Sequence, residues 1–143
     1  MNAYLFYIVC SAALLLTGCN TAPQPIRIGQ DNCDFCKMTI SDNRFGAEIV
    51  TKKSKIYKFD DEHCIIAFLH SRKVIPTLID GIYFVDFANP NKLIKAEEAI
   101  FLQSPALKSP MNGNIAAFSN EENFEKAFQQ FYGNKISWEE MQK

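Results

Sequence analysis

Twice in this chain a short apolar run ends in Phe and passes, through two residues able to cap a helix, into glutamate. The copies are Ile56-Tyr57-Lys58-Phe59-Asp60-Asp61-Glu62 and Ile115-Ala116-Ala117-Phe118-Ser119-Asn120-Glu121. An extended segment that runs straight into a capped, Phe-bearing helix leaves the backbone few other arrangements. Two such units, about half the mature chain apart, predict an α+β fold of two similar β-β-α halves packed together, spanning about 32–80 and 81–143.

The elements around this pattern follow from periodicity and turn residues. Strands are expected at 45–51 and 55–59, then a helix capped by Asp60 or Asp61 and running to about His70, with Ile65, Phe68 and Leu69 inward. A strand at 82–88 closes in the turn Asn89-Pro90-Asn91, followed by one helical turn at 96–99 and strands at 100–103 and 115–118. The last helix is the plainest. Ser119 and Glu122 read as a capping box, Phe124, Ala127, Phe128 and Phe131 repeat at helical spacing, and Gly133 marks the stop.

Residues 1–18 read as a segment that is removed. Tyr4 to Leu16 is mostly apolar but too short for an ordinary membrane span, and Leu16-Thr17-Gly18-Cys19 resembles a bacterial lipobox, although no Lys or Arg precedes it. Cleavage there leaves Cys19 for lipidation, and residues 19–31, with Pro23 and Pro25, form a tether. Asn20 after the lipidated cysteine resembles the outer-membrane sorting pattern of Gram-negative lipoproteins. Cys10 is discarded with the leader, so Cys33, Cys36 and Cys64 are the thiols of the domain. An odd number leaves at least one unpaired unless the protein dimerises through it. Twelve Phe and five Tyr supply core for one domain, and a net charge of −1 argues against nucleic acid as a partner.

Chemistry concentrates in Cys33-Asp34-Phe35-Cys36-Lys37-Met38, two thiols and a thioether within six residues. Soft sulfur ligands select Cu(I) over harder ions, and zinc seldom recruits a thioether. An extended backbone after Cys36 puts Cys36 and Met38 on one face, and a tight turn over 33–36 brings Cys33 to the same place. The competing readings are a Cys-x-x-Cys disulfide or redox pair with Met38 as an ordinary core residue. Met111, in the Pro- and Gly-framed loop 104–114, is the distant sulfur; if the halves are equivalent, it faces the Cys33–Met38 cluster across their junction.

Cys36, Met38, Met111 and Cys33 are therefore the candidate metal ligands. Cys64, beside Ile65 on the inward face of the first helix, reads better as a buried inert thiol than as a ligand. His63 is by default a solvated side chain with ligation as its alternative, and His70 is placed to meet the helix C-terminal dipole. Asp86 either orients a ligand from behind or closes a strand.

Cys36-Lys37-Met38-Thr39-Ile40, Phe59-Asp60-Asp61, Val85-Asp86, the run from Ser109 to Phe118 and the lipobox resemble, in order, the motifs of the NosL family of lipoproteins. Two departures are visible. The family usually has Gly where this chain has Lys37, and a more glycine-rich run where it has Asn112. The resemblance implies a non-enzymatic periplasmic chaperone, membrane-held through lipid, that carries Cu(I) to the copper–sulfide cluster of nitrous oxide reductase or to its assembly factors. It also implies a fold like that of organomercurial lyases, with paired β-β-α units. Carbon–mercury cleavage fits less well, because the residues around the cysteine follow the chaperone pattern. Two other functions compete with copper transport: a thiol–disulfide oxidoreductase using Cys33 and Cys36, and a structural lipoprotein holding zinc or no ion.

Overall fold

The structure, a computed structural model, describes residues 21–143, so the leader, Cys10 and the lipidation candidate Cys19 lie outside the described residues. The fold is α+β. Its strands are β1 (Ala47–Thr51), β2 (Ile56–Phe59), β3 (Ile79–Asp86), β4 (Asn89–Lys95), β5 (Ile100–Gln103), β6 (Ile115–Phe118) and β7 (Asn134–Ile136), with helices α1 (Glu62–His70), α2 (Glu121–Phe131) and α3 (Trp138–Met141). All seven strands join one sheet in the order β2-β1-β3-β6-β5-β7, with β4 added on β3. A hairpin running into a helix occurs twice along the chain, as β1-β2-α1 and as β5-β6-α2. Strand β3 connects the two hairpins. It pairs antiparallel with β1 over much of its length and meets β6 in parallel at Asp86 and Ala117.

Alternation along the strands builds two apolar clusters. Phe101 and Ala117 belong to one with Cys33, Cys64, Ile65, Phe68 and Trp138, whereas Leu102 and Ala116 belong to the other with Phe118, Phe124 and Ala127. Neighbours along a strand point to opposite faces, so α1 and α3 cover one face of the sheet and α2 the other. Edge-to-face aromatic contacts tie the layers together, Phe84 to Trp138 at 5.4 Å on one side and Phe118 to Phe124 at 6.0 Å on the other.

Helix α1 begins where the sequence places it. Asp61 is its N-cap, with Oδ1 accepting the Cys64 N–H at 3.3 Å. Helix α2 is capped one residue later than expected. Asn120 accepts the Asn123 N–H at 2.9 Å, because the Ser119 hydroxyl is already committed to Asp86 Oδ2. The expected turn at 89–91 is strand β4 instead. The reversal falls at Phe87-Ala88, where Asp86 Oδ1 accepts the Ala88 N–H at 3.1 Å and Phe87 packs on Phe45 and Phe118. Helix α2 ends at Phe131 with Tyr132 as its C-cap, just before Gly133, but the structure continues. Strand β7 returns along β5, and a capping box at Ser137 and Glu140 starts α3. Among the described residues no helix is long and apolar enough to cross a membrane.

Candidate metal centre

The segment carrying the sulfur motif is a tight turn, not a strand. The Lys37 N–H donates to the Cys33 carbonyl at 3.0 Å, the Cys33 N–H to the Met38 carbonyl at 2.8 Å, and Asn32 and Thr39 form a single antiparallel bridge. Lys37 adopts a left-handed φ of 66°, so the expected extended run through Cys36 and Met38 is absent. Asp34 anchors this turn to β2, accepting the Lys58 N–H at 2.8 Å while its own N–H donates to the Lys58 carbonyl at 2.8 Å.

The turn sets down its thiols against the first turn of α1. The sulfurs of Cys33, Cys36 and Cys64 all lie within 4.8 Å of one another, and all three cysteines are free. Cys33 and Cys64 have no solvent exposure, and Cys36 is partly exposed. A three-coordinate ion with metal–sulfur bonds of about 2.3 Å needs sulfurs about 4 Å apart, a small contraction of this cluster.

The cluster favours one anion. The Cys64 thiol donates to the Cys33 sulfur, and the N–H groups of Cys36, Asp60 and Phe35 point to it as well. Against the opposing effect of burial, these donors hold Cys33 well below the usual thiol range. Burial raises Cys36, partly offset by the Met38 N–H. Cys64 is raised too, chiefly because its proton is held against the Cys33 sulfur and also because it is buried. A thiolate at the centre of a ring of donors is a ready ligand for a soft cation.

The thioethers approach by different routes. Met111 is half-buried and packs against the same apolar cluster as Cys36. Its loop is tied to the cap of α1: Asp61 Oδ2 accepts the Ser109 hydroxyl at 2.8 Å, the Met111 N–H at 2.9 Å and the Gly113 N–H at 3.5 Å. Met38 leaves the turn outward and is 50% exposed.

The remaining candidates have other surroundings. His63 is exposed and lines a cavity of about 500 Å³ together with Glu62, His70 and Met141. His70 sits in the last turn of α1, with Nε2 3.3 Å from the Gln142 carbonyl. The Asp86 carboxylate takes the Ser119 hydroxyl and the Ala88 N–H, both part of the chain reversals around it. Cys64 is buried, as expected, but it stands as the third corner of the thiol cluster, which favours the ligand alternative over an inert thiol. Its place at N3, reached by the Asp61 cap, was the available signal, but only the folded turn brings Cys33 to it.

The NosL family model matches residues 25–143. No curated protein sequence matches the chain. Among solved structures, the crystal structure of the copper chaperone NosL from Shewanella denitrificans superposes with a TM-score of 0.71 at 22% identity, over 85% of this chain and 96% of that one. At that identity the likeness establishes the fold.

Proposed function

The chain belongs to the NosL family, and on that premise we propose that it is a copper chaperone, a carrier and not an enzyme, whose cargo is Cu(I). The observation that carries this reading is the convergence of three thiols from two separate segments, with Met111 packed on the same cluster. An all-sulfur set matches a soft monovalent ion and offers little to Mg or Ca. Cys36 is the pivotal ligand, because it combines a place in the thiol cluster with access to solvent. Cys33 and Cys64 hold the ion from the buried side, and Met38 and Met111 add thioethers toward the surface. A shallow site capped by weak thioethers suits an ion that must leave again. Lipidation at Cys19 would hold the protein to a membrane facing the periplasm, the outer one where the envelope has two, and the recipient would be nitrous oxide reductase or its assembly factors.

The thiol–disulfide alternative asks for an exposed, reactive leading thiol. Here the favoured thiolate, Cys33, has no solvent exposure, and the accessible Cys36 is the one whose thiol is raised. That order is the reverse of what attack on an external disulfide needs.

The test is titration of the reduced mature protein with Cu(I) against a competing chelator. Cys36→Ser and Met111→Ala each weaken binding if the reading is right; wild-type affinity in both variants rejects it. Delivery is tested separately, by mixing Cu(I)-loaded protein with copper-free nitrous oxide reductase and following the copper.

A further inference from the structure

Resting on the reading of Met111 as a ligand, we propose that Asp61 is the positioning residue that makes its thioether available, by locking the Met111 loop to the helix that carries Cys64. Asp61 has no solvent exposure, and its two oxygens do different work. Oδ1 caps α1 at the Cys64 N–H, the amide of a cluster thiol. Oδ2 gathers the loop, through the Ser109 hydroxyl and the N–H groups of Met111 and Gly113. One carboxylate therefore fixes the backbones of two sulfur residues distant in sequence.

The loop does not hold this shape unaided. Lys108, Asn112 and Asn114 all adopt left-handed φ, between 51° and 60°, which asparagine tolerates but lysine keeps only when its surroundings impose it. Cross-bonds between Ser109 and Asn114 close the loop on itself: Ser109 N–H to Asn114 Oδ1 at 3.0 Å, and Asn114 N–H to Ser109 Oγ at 2.8 Å. They do not attach it to anything else. Ser104 Oγ, donating to the Phe131 carbonyl, and the buried Leu107 hold the start of the loop; the stretch around Met111 is attached through Asp61, and each flanking N–H it accepts is one that a freely moving loop would turn to water. A neutral thioether is a weak ligand, so its contribution depends on being held in place before the ion arrives.

Asp61→Asn separates the two tasks. Asparagine is as good an N-cap as aspartate, but its amide nitrogen cannot accept the loop N–H groups. Removing a partner that orients a metal ligand typically weakens metal binding about 10- to 100-fold. The expected result is a loss of about tenfold in Cu(I) affinity, with X-ray absorption of the loaded protein reporting one sulfur fewer around copper. In a Met111→Ala background Asp61→Asn then adds nothing further to the loss. Ser109→Ala, which removes the hydroxyl contact to Asp61 together with the acceptor of the Asn114 N–H and leaves the cap intact, gives a loss of the same kind and serves if Asp61→Asn does not fold. Met111→Ala without effect on affinity overturns the reading of Met111 itself. If Met111→Ala weakens binding while Asp61→Asn and Ser109→Ala do not, the positioning role is overturned. Equal losses from Asp61→Asn in both backgrounds overturn it too, because they mark a general structural effect.

Discussion

The sulfur of Cys64 lies within 4.8 Å of the sulfur of Cys33, and neither residue is exposed to solvent. One comes from the first turn of α1, the other from the turn before β1, so the contact exists only in the folded chain. It makes Cys64 part of the chemistry. Cys64→Ser keeps the size and a hydroxyl donor but removes a soft ligand. Cu(I) affinity in chelator competition should fall at least about tenfold, the lower end of the range seen for partners one bond further from a metal. An unaltered affinity with an unaltered sulfur count around copper would return Cys64 to the status of a buried spectator.

Met38 tests the outer side of the site. Half its surface is exposed, so Met38→Ala removes little packing, and stability should change by no more than about 0.5 kcal/mol. If its sulfur is a ligand, Cu(I) binds about tenfold more weakly and X-ray absorption loses one sulfur. Affinity and sulfur count both at wild-type values would make Met38 a bystander at the rim.

The sheet carries a separate prediction about pH. Glu48, fully buried on β1, accepts the Gln24 N–H at 3.0 Å, while Lys58 Nζ stands 3.8 Å from its other oxygen. Burial outweighs both and pushes its carboxyl up to about 7. A carboxyl raised on folding contributes stability that is complete below its unfolded value near 4.5 and is lost as pH rises through 7. Asp31 works in the opposite sense and range. Burial alone would raise it, but Lys58 at 2.6 Å and Arg27 bring it down to about 2, so its contribution is present above 3.8 and disappears as pH falls through 2. Glu48→Gln should therefore leave stability unchanged near pH 4 and raise it at pH 8 by on the order of 2 kcal/mol. Chemical denaturation at the two pH values checks this; an equal effect at both would mean that packing, not charge, dominates at Glu48.

Much of this architecture was readable from sequence wherever a local signal coincided with the tertiary outcome. Strands β5 and β6 fall where apolar runs meet turn residues, and Asp61 caps α1 as a short acidic side chain directly before a helical run does. The failures have a common cause. Asn89-Pro90-Asn91 carries turn residues, yet the neighbouring Asp86 and Phe87 make the reversal earlier, so that Asn89 already pairs with Asp86 and strand β4 has begun. Asn134-Lys135-Ile136 has no strand pattern and is extended because β5 offers it an edge. The thiol cluster divides in the same way. Its softness and the pairing of Cys33 with Cys36 are local properties, whereas the third corner depends on where a turn lands on a helix.

Two residues beside the candidate sulfur ligands are left-handed, Lys37 at φ 66° and Asn112 at φ 60°. Glycine occupies that region without cost, asparagine tolerates it, and lysine bears a penalty of about 1–2 kcal/mol. Glycine would fit the position between Cys36 and Met38 without penalty, and Lys37 holds this turn under strain. Its side chain is 71% exposed, and its one ionic partner, Asp34, is 4.0 Å away, so little packing offsets that strain. Lys37→Gly should stabilise the apo protein by a few tenths to about 1 kcal/mol, the relief being reduced by the greater freedom of glycine in the unfolded chain. Lys37→Ala, which shortens the side chain but keeps Cβ, should give no such gain. Equilibrium denaturation of the two variants distinguishes them: equal stabilisation by both would trace the effect to the lost charge, and stabilisation by glycine alone would trace it to the backbone of the turn that presents the thiols.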